Sequence, residues 1–414
     1  MVVHDPADSA QARPLLSGMR VLELGHFVAA PFCARLLGDL GADVIKVEPA
    51  AGDPARDWGE QVDGHSLWWS MHGRNKRSIR IDFKTPEGRE LVLRLAAQCD
   101  AVIENFRPGH LARLGLGPEQ LRERRPDLVV AHISGYGQDG PDRDRAAFGL
   151  IGESIGGLRH LTNHAPGTSD LPPVRVGVSI GDSIAGLYAA FGVMAALWER
   201  DRPGGSGIGA SVDVALSESV LSLMEGMLPE YGALGKVKQP TGGAIPTAAP
   251  TNAYPTLDKS WILIGANSDP LFARLAALIG REELAGDPRF CDNRARITHV
   301  AELDRIISDW TLRHSVADLV DLLSGADIPS AKVYDSADIA ADRQFRARGM
   351  IVPVSDPHFA EPVLHAGIVP RILEARGRIR STGPAIGQHG DEILRDLLGV
   401  EDREIARLRA AGIV

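Results

Sequence analysis

Short β-rich runs alternate with helical patterns across the first 140 residues, and this alternation limits the fold more than any other feature of the chain. MRVLELG, ADVIKVE, SIRIDF, DAVIENF and DLVVAHISGYG have the aliphatic density of buried strands, whereas PFCARLLGDLG and PEGRELVLRLAAQC space apolar residues at helical intervals. Repeated strand–helix–strand units predict an α/β fold with a parallel sheet covered by helices. In such a sheet a ligand binds beyond the carboxyl ends of the strands. The loops that reach that edge are 25–31, 48–56, 105–110 and 134–141.

The chain has 414 residues, more than the roughly 250–300 at which a single core stops growing, so two domains are expected. Residues 1–17 read as a loose tail without the apolar core of a signal peptide, and 18–224 as the large parallel-sheet domain. Gly, Pro, Thr and Ala crowd residues 232–256, as in a linker or loop. KSWILIGAN then reads as a strand, and DPLFARLAALIG and the segment from HVAELDRIISDW as helices. Residues 225–328 are therefore expected to form a smaller α/β domain, with 329–414 returning to the large one.

The formal net charge is −9 and the basic residues are dispersed, which argues against nucleic acid or a membrane surface as a partner. Cys33, Cys99 and Cys291 are too far apart for a C-x-x-C pair, so no disulfide framework or zinc cluster is expected and a reducing cytoplasm fits best. His160 and His164 stand four apart, but in a loop pattern without a third ligand, so no metal is expected. The longest apolar stretch, 184–198, is shorter than the roughly 18–20 residues of a membrane span and reads as a buried core helix.

Asp182 stands at the entrance of that helix, in VGVSIGDSIAGLYAAFGVMAALW, where a carboxylate needs a reason. One reason is capping, with its oxygens satisfying free amides from Ser183 onward; the other is chemistry. The turn after the first strand lacks the G-x-G-x-x-G fingerprint, which excludes a nicotinamide or flavin held in the usual Rossmann manner.

LLGDLGADVIKVE, NKRSIRIDFKTPEG, ENFRPGHLARLGLG, SGYGQDGP, the Asp182 segment and RARGMIVPV follow one another between residues 18 and 397. With these blocks the chain resembles the class III CoA-transferase family, which includes formyl-CoA and carnitine CoA-transferases and the related alpha-methylacyl-CoA racemases. The resemblance implies a large Rossmann-like domain, an interlocked homodimer, and Asp182 as a catalytic aspartate that forms covalent acyl intermediates. A carboxylate with a reference pKa of about 3.9 is ionised at neutral pH and can attack a thioester without a separate base. A mixed anhydride forms, CoA thiolate converts it to an aspartyl-CoA thioester, and a second carboxylic acid reverses the cycle. CoA and acyl-CoA are then substrates, with no tightly bound cofactor and no metal.

The same resemblance implies an acyl pocket around His26, Phe27, Val28, Ala29, Phe148 and Glu153, with Gly242 and Gly243 as a lid. It implies CoA contacts from Lys46 to Arg56, at Arg74, Lys76 and Ser78, and at Asn105, Phe106, Arg107 and Arg113. Succinyl-CoA is the expected donor, its distal carboxylate meeting Arg56 or His26. Val28 stands where formyl-CoA transferase has glutamine, against the oxalate and formyl-CoA pair. Racemisation, the alternative within the family, would need an acid–base His where this chain has Phe148. A silent CoA-binding protein is a further alternative, against which Asp182 speaks.

Overall fold

The computed structural model describes residues 14–375 and 377–414; the expected tail lies, over residues 1–13, outside the described residues. The chain divides into two units. One takes the residues up to 159 with 175–236 and 346–414, and the other 160–174 with 237–345. The second unit thus takes in 160–174 as well, and its main segment starts and ends later than the expected 225–328. The helix Met227–Leu234 stays with the first unit, and the strand Ser330–Lys332 pairs with Trp261–Gly265, which carries the second unit past residue 328.

In the first unit, β1 (Arg20–Glu23), β2 (Asp43–Glu48), β3 (Lys76–Arg80), β4 (Ala101–Glu104), β5 (Val129–Ser134) and β6 (Ser211–Ala215) form one sheet in the order 3-2-1-4-5-6. All five pairings are parallel. The strands are apolar on both sides because both faces are covered. Val21, Val44, Ala101, Ile103 and Ala131 pack into one core with α1 (Ala29–Asp39) and α4 (Ile180–Asp201). Leu22, Ile45, Ile79, Val102 and Val130 pack into the other, with α2 (Pro86–Ala96) and Ile393, Leu394, Ile405 and Leu408 near the carboxyl terminus. Neighbouring residues of one strand thus serve opposite cores, as the period of two requires.

The strand order reverses between β1 and β4, so the loops leaving these two strands diverge and open a crevice at their carboxyl ends. α4 reaches this crevice by crossing α1 closely. A Cβ on Gly186 would stand 2.6 Å from the Ala29 carbonyl oxygen, so only glycine allows the crossing. The expectation that α4 is buried holds for one face only. Ala185, Ala189, Ala190 and Val193 are buried, whereas Leu187, Phe191 and Trp198 are exposed, the last two by 72% and 69%. The helix runs from 180 to 201, beyond the apolar stretch, and its 22 residues suffice by length and composition alone to cross a membrane.

In the second unit, Thr251–Pro255, Trp261–Gly265 and Ser330–Lys332 form an antiparallel sheet with Trp261–Gly265 in the centre. Tyr254, Ile262 and Ile264 pack there against Phe272, Leu275, Leu303, Ile307 and Leu319 of the helices. Buried Arg296 donates to the carbonyls of Ala249, Phe290 and Asn267 and to Asp269.

Candidate active site

A cleft opens at the crevice between β1 and β4. After β1 the chain turns sharply, and a Cβ on Gly25 would collide with Ala30 and Asn105 at 2.4 and 2.5 Å. Asn105, just past β4, pins the turn by accepting from the His26 N–H and donating to the His26 carbonyl, both at 2.9 Å. Phe27 is held at φ 62°, a conformation that costs a bulky residue energy. Its N–H donates to Asp53 Oδ1 at 3.0 Å, which fixes that conformation. His26, Phe27 and Ala29 line the cleft with Asn105, Phe106, Arg107, Ser134, Arg145, Phe148 and Asp182.

The cleft wall is aromatic. Phe148 meets Phe27 edge-on, Phe27 meets His26, His26 meets Phe106 and Phe106 stacks on His110, with ring centres 5.0–6.2 Å apart. Burial, assisted by the charges of Lys46 and His110, lowers the His26 pKa from its ordinary value of 6.5 against the pull of Asp53. At neutral pH His26 therefore presents a neutral imidazole.

Asp182 is the third residue of α4, whose first turn begins at Ile180 after Ser179. The capping reading is thus corrected: the helix starts three residues earlier than a capping Asp182 requires. Its carboxylate instead turns toward α3 (Gly149–Ile155), where the Gly149 N–H is a donor to it. Burial and then the Glu153 charge raise its pKa, against the Gly149 amide, its own backbone amide and Arg175, from 3.8 to about 6. The carboxylate is largely ionised at pH 7 yet poorly solvated, the condition of a usable nucleophile.

Several expected CoA contacts lie inside the protein. Lys46 is buried between Glu23 at 2.6 Å and Asp53 at 2.7 Å and donates to the Gly25 carbonyl; Lys76 is buried against Glu23 and the Pro31 carbonyl. Burial works against the Lys46 charge, but Glu23 and Asp53 outweigh it and hold its pKa above the ordinary value. Arg74 is buried on Asp39 and the Ala366 carbonyl, and Ser78 donates to Glu48. None of these four has a side chain free for a ligand. Beneath the cleft, Lys46 and Lys76 instead brace the 25–31 turn.

Arg56 is equally committed, to both oxygens of Glu48 and to the Pro384 carbonyl, with its guanidinium stacked on Trp69. It lines a different cleft from Asp182, so the expected meeting with a distal carboxylate finds no free guanidinium there. Arg113 is exposed and outside the Asp182 cleft, Val28 is buried behind the turn, and Glu153 is buried beside Asp182 rather than in the wall. Gly242, at φ +65°, and Gly243 belong to the second unit. Sequence reasoning missed Arg145 and Gly149. The signal for both was the short segment RAAFG, which runs directly from the cleft wall into α3.

The molecule is thus an α/β protein with a cleft at the topological switch of a Rossmann-like sheet and, at its wall, a half-buried carboxylate that accepts a hydrogen bond from a backbone amide. The chain belongs to CoA-transferase family III, whose family model matches residues 16–390. It is similar to the succinyl-CoA–D-citramalate CoA-transferase of Chloroflexus aurantiacus, 47% identical over 97% of this chain and 98% of that protein. It is also similar to the beta subunit of the succinyl-CoA–L-malate CoA-transferase of the same organism, 37% identical over 96% and 98%. The crystal structure of a CAIB/BAIF family protein from Brucella suis superposes with a TM-score of 0.83 at 35% identity, covering 94% of this chain and all of that one. The protein is accordingly an enzyme that transfers CoA between carboxylic acids.

Proposed function

We propose that the protein moves CoA from succinyl-CoA to a short dicarboxylic acid, with D-citramalate or a similar hydroxy acid as acceptor, and that Asp182 carries the acyl group. The observation that carries this reading is the Asp182 carboxylate, placed in the wall of the cleft with a raised pKa and an amide donor beside it. An Asp182 oxygen attacks the thioester carbonyl, the C–S bond breaks and CoA leaves as the thiolate. The thiolate then attacks the Asp182 carbonyl of the anhydride, releasing succinate and leaving an aspartyl-CoA thioester. The acceptor carboxylate displaces the thiolate to form a second anhydride. Attack of the thiolate on the acceptor's carbonyl then regenerates Asp182. The Gly149 N–H is suited to oppose negative charge as it builds on the acyl oxygens.

The donors and acceptors of the two relatives named above are dicarboxylic, and this chain's cleft offers two exposed guanidinium groups. Arg107 adjoins the Asn105–Phe106 wall and suits the CoA side, where phosphates want a cation. Arg145, three residues before Phe148, lies over the Tyr136 ring and holds only an exposed partner, Asp142. Arg145 is therefore the cation we assign to the distal carboxylate, in place of Arg56.

The exposed apolar residues Leu187, Phe191 and Trp198 of α4, with Leu228 and Leu234, support a homodimer that covers them. The activity is tested by chromatography of the CoA esters formed from succinyl-CoA and a panel of mono- and dicarboxylic acids. New esters of dicarboxylic acids, formed with matching release of succinate, support the reading. Esters of monocarboxylic acids alone contradict it.

A further inference from the structure

Behind the nucleophile stands a second carboxyl group that the reaction cycle does not consume. Glu153 lies one helical turn after Gly149 on α3, so both face α4 from the same side. It is 1% exposed. A Cβ built on Gly181, the residue next to Asp182, would stand 3.3 Å from Glu153 Cγ, so the side chain packs directly against the first turn of α4. Its Oε2 meets Arg159 at 3.3 Å, while Oε1 is buried without a hydrogen-bond partner.

A buried carboxylate oxygen without a partner is costly, and a structural role alone would be better served by a neutral amide. What Glu153 supplies is negative charge. The charged and donor groups around the pair are Arg159 on the Glu153 side, and Arg175 with the Gly149 N–H on the Asp182 side. Glu153 also belongs to the group of residues outside the cleft wall, so it acts through Asp182 rather than on the substrate.

We propose that Glu153 is a positioning residue of Asp182, whose fixed charge destabilises the free nucleophile and is relieved whenever Asp182 is acylated. This rests on the reading of Asp182 as the acyl carrier. Ionised Asp182 and Glu153 repel each other across a poorly solvated gap; the anhydride and the aspartyl-CoA thioester are neutral at that point and do not. The free enzyme is thereby raised in energy relative to both covalent intermediates. The cost is that Asp182 takes up a proton at a higher pH than an isolated aspartate, consistent with its raised pKa.

The test is the pH profile of succinyl-CoA exchange for wild type, Glu153→Gln and Asp182→Asn. Gln keeps the shape and an acceptor for Arg159 while removing the charge. The acidic limb of kcat/KM in Glu153→Gln is expected to move down by about one pH unit, with a several-fold lower plateau, because a like charge no longer opposes ionisation. A limb that stays in place in a folded Glu153→Gln protein, with Asp182→Asn inactive, overturns the role of Glu153 and leaves that of Asp182 intact. Exchange by Asp182→Asn at the wild-type rate removes the acyl carrier itself. Should Glu153→Gln fail to fold, Glu153→Met, which also removes the charge at similar size, takes its place: an acidic limb moved down supports the proposal, and an unmoved limb overturns it.

Discussion

Gly149 and Asp182 meet so closely that a Cβ on Gly149 would stand 2.0 Å from Asp182 Oδ2. The absence of a side chain at 149 is what lets the carboxylate of α4 settle against the start of α3. Gly149→Ala should therefore displace the carboxylate and lower kcat about 100-fold, since misplacement of a reacting group by an ångström has that order of effect. The fold around it is glycine-rich enough to adjust, so the melting temperature should change little. Steady-state exchange rates with a thermal melt check this. Unchanged kcat would mean that the contact does not position the nucleophile.

The raised pKa of Asp182 has a stability counterpart. Between 3.8 and about 6 the native state keeps a proton that the unfolded chain has released, and above that range native Asp182 is fully ionised in a site that disfavours its charge. Unlike a salt-bridged carboxylate, it contributes instability that grows as pH rises, up to about 3 kcal/mol. Asp182→Asn should then raise the melting temperature at about pH 8, less so at about pH 5, and not at all below about pH 4. An equal gain at every pH would show that charge is not the cause.

Arg145→Gln should weaken discrimination between succinyl-CoA and a monocarboxylic acyl-CoA by about 10-fold or more, chiefly through KM for the former, because a charge-assisted contact is lost. Arg56→Gln should lower stability instead, since it leaves Glu48 without its two bonds from the guanidinium. The reverse pattern would return the distal carboxylate to Arg56.

Lys46 neutralises two buried carboxylates, Glu23 and Asp53, beneath the cleft. Lys46→Met leaves Asp53 without a cation and Glu23 with Lys76 alone, and losing one partner of a buried ion pair costs about 3–5 kcal/mol. A denaturant titration should show that loss, with activity falling as the 25–31 turn loosens. A protein of wild-type stability would contradict the bracing role.

The parallel sheet was legible because strands apolar on both faces leave little choice of architecture. Its strand order was not, since neighbours separated by dozens of residues leave no local signal. The ligand loops after β1 and β4 followed from the general rule for such sheets. Lys46 and Lys76 were misread because a basic residue near a proposed phosphate site reads as a ligand contact. Their burial depends on Glu23, which the parallel register places directly opposite Lys46. The start of α4 was misplaced for a similar reason: Asp182 resembles a cap, but the chain is already helical from Ile180. Arg145 went unnoticed because nothing in a lone arginine tells which of two clefts it enters.

The most direct test of the account is the mass of the intact protein after incubation with succinyl-CoA and trapping with hydroxylamine, for wild type and Asp182→Ala, followed by peptide mapping. The account predicts a hydroxamate on Asp182 in the wild type and none in the variant, which should also lose exchange. Robust exchange with no adduct, or an adduct that persists in Asp182→Ala, would contradict the assignment of Asp182 as the residue that carries the acyl group.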